Sequence, residues 1–96
     1  MDNISLEAKY ASSFKSYILD NNILKSSRII PIDKQLHFGN CIFHINCVLD
    51  ICTTIHCSVI SASLYNITSN FAKSLDANIL EAILFEILNN NSKHND

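Results

Sequence analysis

Seven side chains able to do chemistry crowd into residues 37–57: His37, Cys41, His44, Cys47, Cys52, His56 and Cys57. Thiolates and imidazoles ligate zinc when they converge tetrahedrally, and Cys41, His44 and Cys47 have a suggestive spacing. The element beneath them decides. Along a strand successive side chains point to opposite faces, so Cys41 and Cys47 would share one face and His44 the other. Cys41, Cys47 and Cys57 then fall on an apolar face, where a reduced thiol packs as a small hydrophobe. His37, His44 and His56 share the polar face, either as a metal-binding trio or as a solvated surface. A Cys–His nucleophilic pair needs an exposed, activated thiolate. Cys52, four residues before His56, is the one candidate, against the plainer reading of a small residue near a turn. Carboxylates are scattered, and Asp33 and Asp50 sit where turns favour Asp. There is no phosphate-binding glycine loop, dinucleotide fingerprint or zinc ribbon. The expectation is a protein that is not an enzyme, with no catalytic residue, no cofactor and no resident metal.

The elements that would position these residues can be read from periodicity. Leu6, Tyr10, Phe14, Tyr17 and Ile18 recur at helical steps over residues 5–20, with Ser5 as cap and Glu7 in the first turn. Asp20-Asn21-Asn22 ends that helix, and Ile23 and Leu24 can fold back onto it. Gly39-Asn40 is the clear hairpin signal. Setting Phe38 opposite Cys41 pairs Leu36 with Phe43, Lys34 with Ile45 and Ile32 with Cys47, so all but Lys34 are apolar on one face. Asp33, Gln35, His37, Ile42, His44 and Asn46 occupy the other. Alternation continues past Asp50, which gives a second turn there and a third strand. A helix over 42–60 is the rival reading, because Ile42, Ile45, Leu49, Cys52, Val59 and Ile60 also fit a 3.6 period. Residues 63–74 read as a short helix or loop. Over 77–90, Ile79, Ile83, Ile87 and Leu80, Leu84, Leu88 form two ladders at four-residue steps, and Phe85 falls outside that arc.

The fold class is therefore α+β: an N-terminal helix, a three-stranded antiparallel sheet over about 30–38, 41–49 and 53–61, and a C-terminal helix over about 77–90. The 96 residues make one small domain, with 92–96 as a frayed tail. Hydrophobic residues are 48% and charged residues 17%, which excludes intrinsic disorder. A net charge of −2 and a single arginine argue against a nucleic-acid partner. Ile51–Ala72 lacks formal charge but carries too many Ser, Thr, Asn and His residues to span a membrane. The start of the chain shows no basic, then apolar, secretory pattern. Reduced cysteines and a cytoplasmic location follow. Fifteen Ile and twelve Asn fit an AT-rich bacterial, phage or viral genome.

One resemblance adds to this reading. Gly39-Asn40-Cys41-Ile42-Phe43-His44-Ile45-Asn46, then Leu64-Tyr65-Asn66-Ile67, then Asn78 to Asn89, resemble the first strand, the segment after the third strand and the Leu-rich helix of the type III secretion chaperone family. These are the small acidic dimeric chaperones of secreted effectors, and the likeness covers residues 5–90. Family members continue with two more strands and a last helix, and Asn46 stands where an acidic residue commonly ends the first strand. The resemblance implies a cytosolic bacterial, virulence-associated protein that holds an extended effector segment on apolar patches.

The functional expectation is a non-enzymatic protein–protein interaction module, homodimeric or heterodimeric, with a protein partner such as a secreted effector. Its candidate partner-binding residues are Phe43, Ile45, Leu64, Ile67, Leu80, Leu84, Phe85 and Leu88. The alternatives are a phage- or plasmid-encoded regulator or inhibitor acting by protein contact, and a His/Cys metal-binding module.

Overall fold

A computed structural model describes residues 5–90. The order of elements is α1 (Leu6–Asp20), a single 3-10 turn (Ile23–Lys25), β1 (Ile29–Phe38), β2 (Cys41–Ile51), β3 (Ile55–Asn66), β4 (Phe71–Ser74) and α2 (Ala77–Asn90). The strands form one antiparallel sheet in the order β1-β2-β3-β4. Both helices pack on the same face of it, sharing one core with the inward residues of β2. Among the described residues, no helix lies over the other face. The proposed frayed tail, 92–96, lies outside the described residues.

Local chemistry explains most boundaries. Ser5 Oγ accepts from the Ala8 N–H at 3.1 Å and satisfies a donor that the first turn of α1 would leave unpaired. Tyr10, Ala11, Phe14 and Ile18 form the buried stripe of α1. The helix stops where Asn21 bonds back to Tyr17 and Asn22 turns left-handed at φ 55°. Ile23 and Leu24 then fold onto the core. Gly39 takes φ +62° between β1 and β2, the conformation that such a tight turn needs and that glycine adopts without strain. The pairing runs Phe38 to Cys41, Leu36 to Phe43, Lys34 to Ile45 and Ile32 to Cys47, as the sequence expects. Pro31 is tolerated because β1 is an edge strand. The helical reading of 42–60 is ruled out by this ladder and by the inward alternation of Phe43, Ile45, Cys47 and Leu49.

Two expectations need correction. The sheet has four strands, not three: Phe71–Ser74 pairs with Ser63–Asn66, in the stretch read as helix or loop. Asparagines build that turn instead of Gly or Pro. Asn66 Oδ1 accepts from Ser69 N–H at 3.0 Å, and Asn70 supplies φ 58°. The second turn, expected near Asp50, lies just beyond it, after Ile51, with Thr53 and Thr54 in it. The third strand accordingly starts at Ile55 and runs on to Asn66. It carries a register shift opposite Asn46 and Cys47, and Ile60 is the unpaired residue. Such a bulge inserts one residue and switches which parity faces inward. Cys57 is therefore buried before it and Ala62 after it, while Ile60 is 62% exposed.

Helix α2 starts on Asp76, whose Oδ1 accepts from Asn78 and Ile79 N–H at 3.0 and 3.2 Å. Of its two apolar ladders, Leu80, Leu84 and Leu88 are buried. Ile83 and Ile87 flank them half-buried, and Ile79 is exposed. Among the described residues, no helix is long and apolar enough to cross a membrane.

Candidate functional site

The reactive side chains are separated by the sheet. Cys47 and Cys57 are fully buried, diagonal to one another across β2 and β3. A hydrogen bond to Cys47 and then burial push the Cys57 thiol far above its ordinary range, so it stays a neutral core group. Exposed Cys52 lies 3.8 Å from Asp50 Oδ1, which also accepts from Arg28 Nε at 3.2 Å. His56 pairs with Asp50 in the ladder, but its ring turns toward α2, with Nε2 3.8 Å from Glu81 Oε2 and its centroid 6.1 Å from that of Phe85. His44 bonds to Asp33, and His37 stands across from Ile42. The three imidazoles thus go to different neighbours. Among the described residues, no group of three His, Cys, Asp or Glu side chains could hold a metal ion.

The eight candidate partner-binding residues divide. Phe43, Ile45, Leu80 and Leu84 are fully buried, and Leu88 is 5% exposed. Phe43 stacks on Tyr10 at 5.2 Å between centroids. These five hold the fold together. Leu64 is half-buried. Ile67 and Phe85 are 49% and 43% exposed. Phe85, outside the arc of the two ladders, stays on the surface. It lines an open hollow of about 460 Å³ with Thr53, Thr54, Ala82, Glu86 and Asn89, beside the β2–β3 turn.

Hydrophobic pattern missed two features. The first is an apolar rim at the end of the sheet that carries the β1–β2 and β3–β4 turns. Phe38, Cys41, Asn66 and Phe71 lie in one row across the four strands. Phe71 is 61% exposed, and Tyr65 and Ile67 are exposed beside it. The Ile67 N–H donates to Asn40 C=O at 2.8 Å and ties the two turns together. All four residues of β4 are exposed, and among the described residues nothing pairs with its outer side.

The second is a helix that substitutes for a strand. β4 covers only Ser63–Asn66 of β3, leaving the edge from Ile55 to Val59 without a neighbouring strand. Side chains of α2 take that place. Asn89 Oδ1 accepts from Ile55 N–H at 2.8 Å, and its Nδ2 donates to Ile55 C=O at 2.8 Å. Glu81 Oε1 accepts from Val59 N–H at 3.0 Å. The dimensions explain the match. Eight residues of helix rise about 12 Å, and four residues of strand span about 13 Å. The i, i+4, i+8 set Glu81, Phe85 and Asn89 therefore runs antiparallel along Ile55–Val59. Spacing alone could not have found it, because Asn78 and Glu86 on the same helix are also eight apart.

Two helices on one face of a four-stranded antiparallel sheet define the architecture, with one sheet edge bonded to a helix at Ile55 and Val59 and one apolar rim exposed. Comparison with protein-family models, curated proteins and solved structures finds no match to this chain.

Proposed function

We propose that the protein is a non-enzymatic interaction module that binds an extended segment of another polypeptide along β4 and the adjoining rim. The supporting observation is the exposure of Phe71, at 61%, on a four-residue outer strand whose far side is unpaired among the described residues, with Ile67, 49% exposed, in the turn that leads into it. Large apolar groups on a surface gain by burial against a partner. An open strand edge supplies backbone donors and acceptors in register, and alternate side chains give selectivity. The likeness to type III secretion chaperones makes the unfolded part of a secreted effector the preferred class of partner, held in the bacterial cytoplasm. Phe85 and its hollow provide a second apolar foothold on the same β3 side of the molecule.

A photocrosslinking amino acid at position 71, in the native host, tests this reading. It should trap one protein through one contiguous segment, and the same probe at Lys25 should not. A synthetic peptide of that segment should bind the purified chain, and Phe71→Asp should weaken it by roughly tenfold or more. Equal, scattered crosslinking from both positions contradicts the reading.

A further inference from the structure

The opposite edge of the sheet has different chemistry. Phe38 and Cys41 flank the two-residue turn, and Arg28 C=O accepts from Ile51 N–H at 2.8 Å. Bonded and non-bonded pairs alternate in an antiparallel ladder. The even-numbered residues of β1 therefore bond to β2. Ile29, Pro31, Asp33, Gln35 and His37 turn their backbone groups outward. Pro31 has no N–H to offer, so the uninterrupted run of outward donors is Asp33, Gln35 and His37, all exposed.

We propose that this run pairs antiparallel with the same run of a second copy of the chain, about a two-fold axis beside Gln35. The register places Asp33 opposite the partner's His37 and Gln35 opposite the partner's Gln35, at both ends of a symmetric ladder. Asp33 gives His44 one oxygen, and a carboxylate has a second acceptor for a cross-strand imidazole. Shifting the centre one residue toward the strand's start sets Lys34 opposite its own copy and brings Pro31 into the ladder. Shifting it two residues sets Asp33 opposite Asp33. Like charges directly opposed destabilise a strand pair. Shifting the other way shortens the ladder.

The helix-side chemistry selects the same register. Phe38, 39% exposed, comes opposite the partner's Ile32. Ile32 lines a hollow of about 310 Å³ with Tyr17, Ile23, Ile30 and Lys34. Each copy thus offers an exposed ring to a hollow on the other in which Ile23, Ile30 and Ile32 sit beside the polar Ser26, Asp33 and Lys34. Lysines often guard strand edges, but the Lys34 ammonium lies over the Tyr17 ring, 5.6 Å from its centroid, and not along the edge. This inference goes beyond the docking reading above and uses a different surface.

Sedimentation equilibrium of the full chain, from micromolar to near-millimolar concentration, tests it. A species of twice 10.8 kDa should form. Gln35→Pro removes the outward N–H at the axis and should weaken the dimer roughly ten- to a hundredfold. His37→Asp should weaken it several-fold and His37→Arg should tighten it, which a merely structural role for His37 would not produce. These two decide the matter if Gln35→Pro loses its circular dichroism. Phe71→Asp should leave the mass unchanged, so failure here and failure of the docking reading are separable. A monomer at every concentration, or a dimer indifferent to Gln35→Pro and to both His37 variants, overturns the proposal.

Discussion

The two long edges of this sheet meet solvent in different ways. Between Ile55 and Val59, β3 has a helix beside it whose amide and carboxylate do the bonding of a strand. Along β1, α1 contributes ring and stem contacts such as Tyr10 on Phe38 and Tyr17 under Lys34, which cover the face and leave the backbone edge open. The difference teaches what closes an edge. Apolar burial alone places a helix on a face. Closing the edge also requires polar side chains at the helical spacing that matches the strand's rise.

Removing the support of the sealed side should have the largest effect. Leu84 is fully buried at the centre of α2, and Leu84→Ala should cost about 2–5 kcal/mol of unfolding free energy by urea titration. Asn89→Ala leaves the Ile55 N–H and C=O unpaired in a part-buried setting. It should cost about 1–3 kcal/mol and accelerate exchange of the Ile55 amide. Beneath the same edge, Cys57 provides a pH test. Its folded-state pKa is raised, by the Cys47 hydrogen bond first and burial second. Its contribution is fully present below the ordinary thiol pKa of 9.0 and is lost as pH rises above that value, because the unfolded thiol ionises and the folded one does not. Stability should fall by up to about 1.4 kcal/mol per pH unit there, and Cys57→Val should flatten that slope. Ser5→Ala, at the start of the helix that leaves β1 open, should cost about 1 kcal/mol.

Sequence reasoning reached what is local. Gly39-Asn40 and its alternating flanks specify the β1–β2 register residue by residue, because a one-residue slip would turn every inward side chain outward. Ser5, the paired ladders of α2 and the Asn run after Asp20 set the helices. What escaped was short or distant. Phe71-Ala72-Lys73-Ser74 is too brief to show a period, and its turn depends on the left-handed tolerance of Asn70. The unpaired Ile60 is visible only against β2. Asn89 reads as a helix terminator until Ile55, 34 residues away, is placed next to it. Hydrophobicity also failed to divide core from exposed surface. Phe43, Ile45, Leu80, Leu84 and Leu88 owe their place among the candidate contacts to the same property that buries them, while exposed Phe71 stands in a stretch without pattern.

Amide hydrogen exchange, followed residue by residue in dilute solution, compares the two edges directly. The account predicts slow exchange at Ile55 and Val59, whose N–H groups donate to Asn89 and Glu81, and fast exchange at the outward N–H groups of Gln35 and His37. Exchange at Ile55 and Val59 as fast as at Gln35 would show that α2 does not close the β3 edge, and would contradict it.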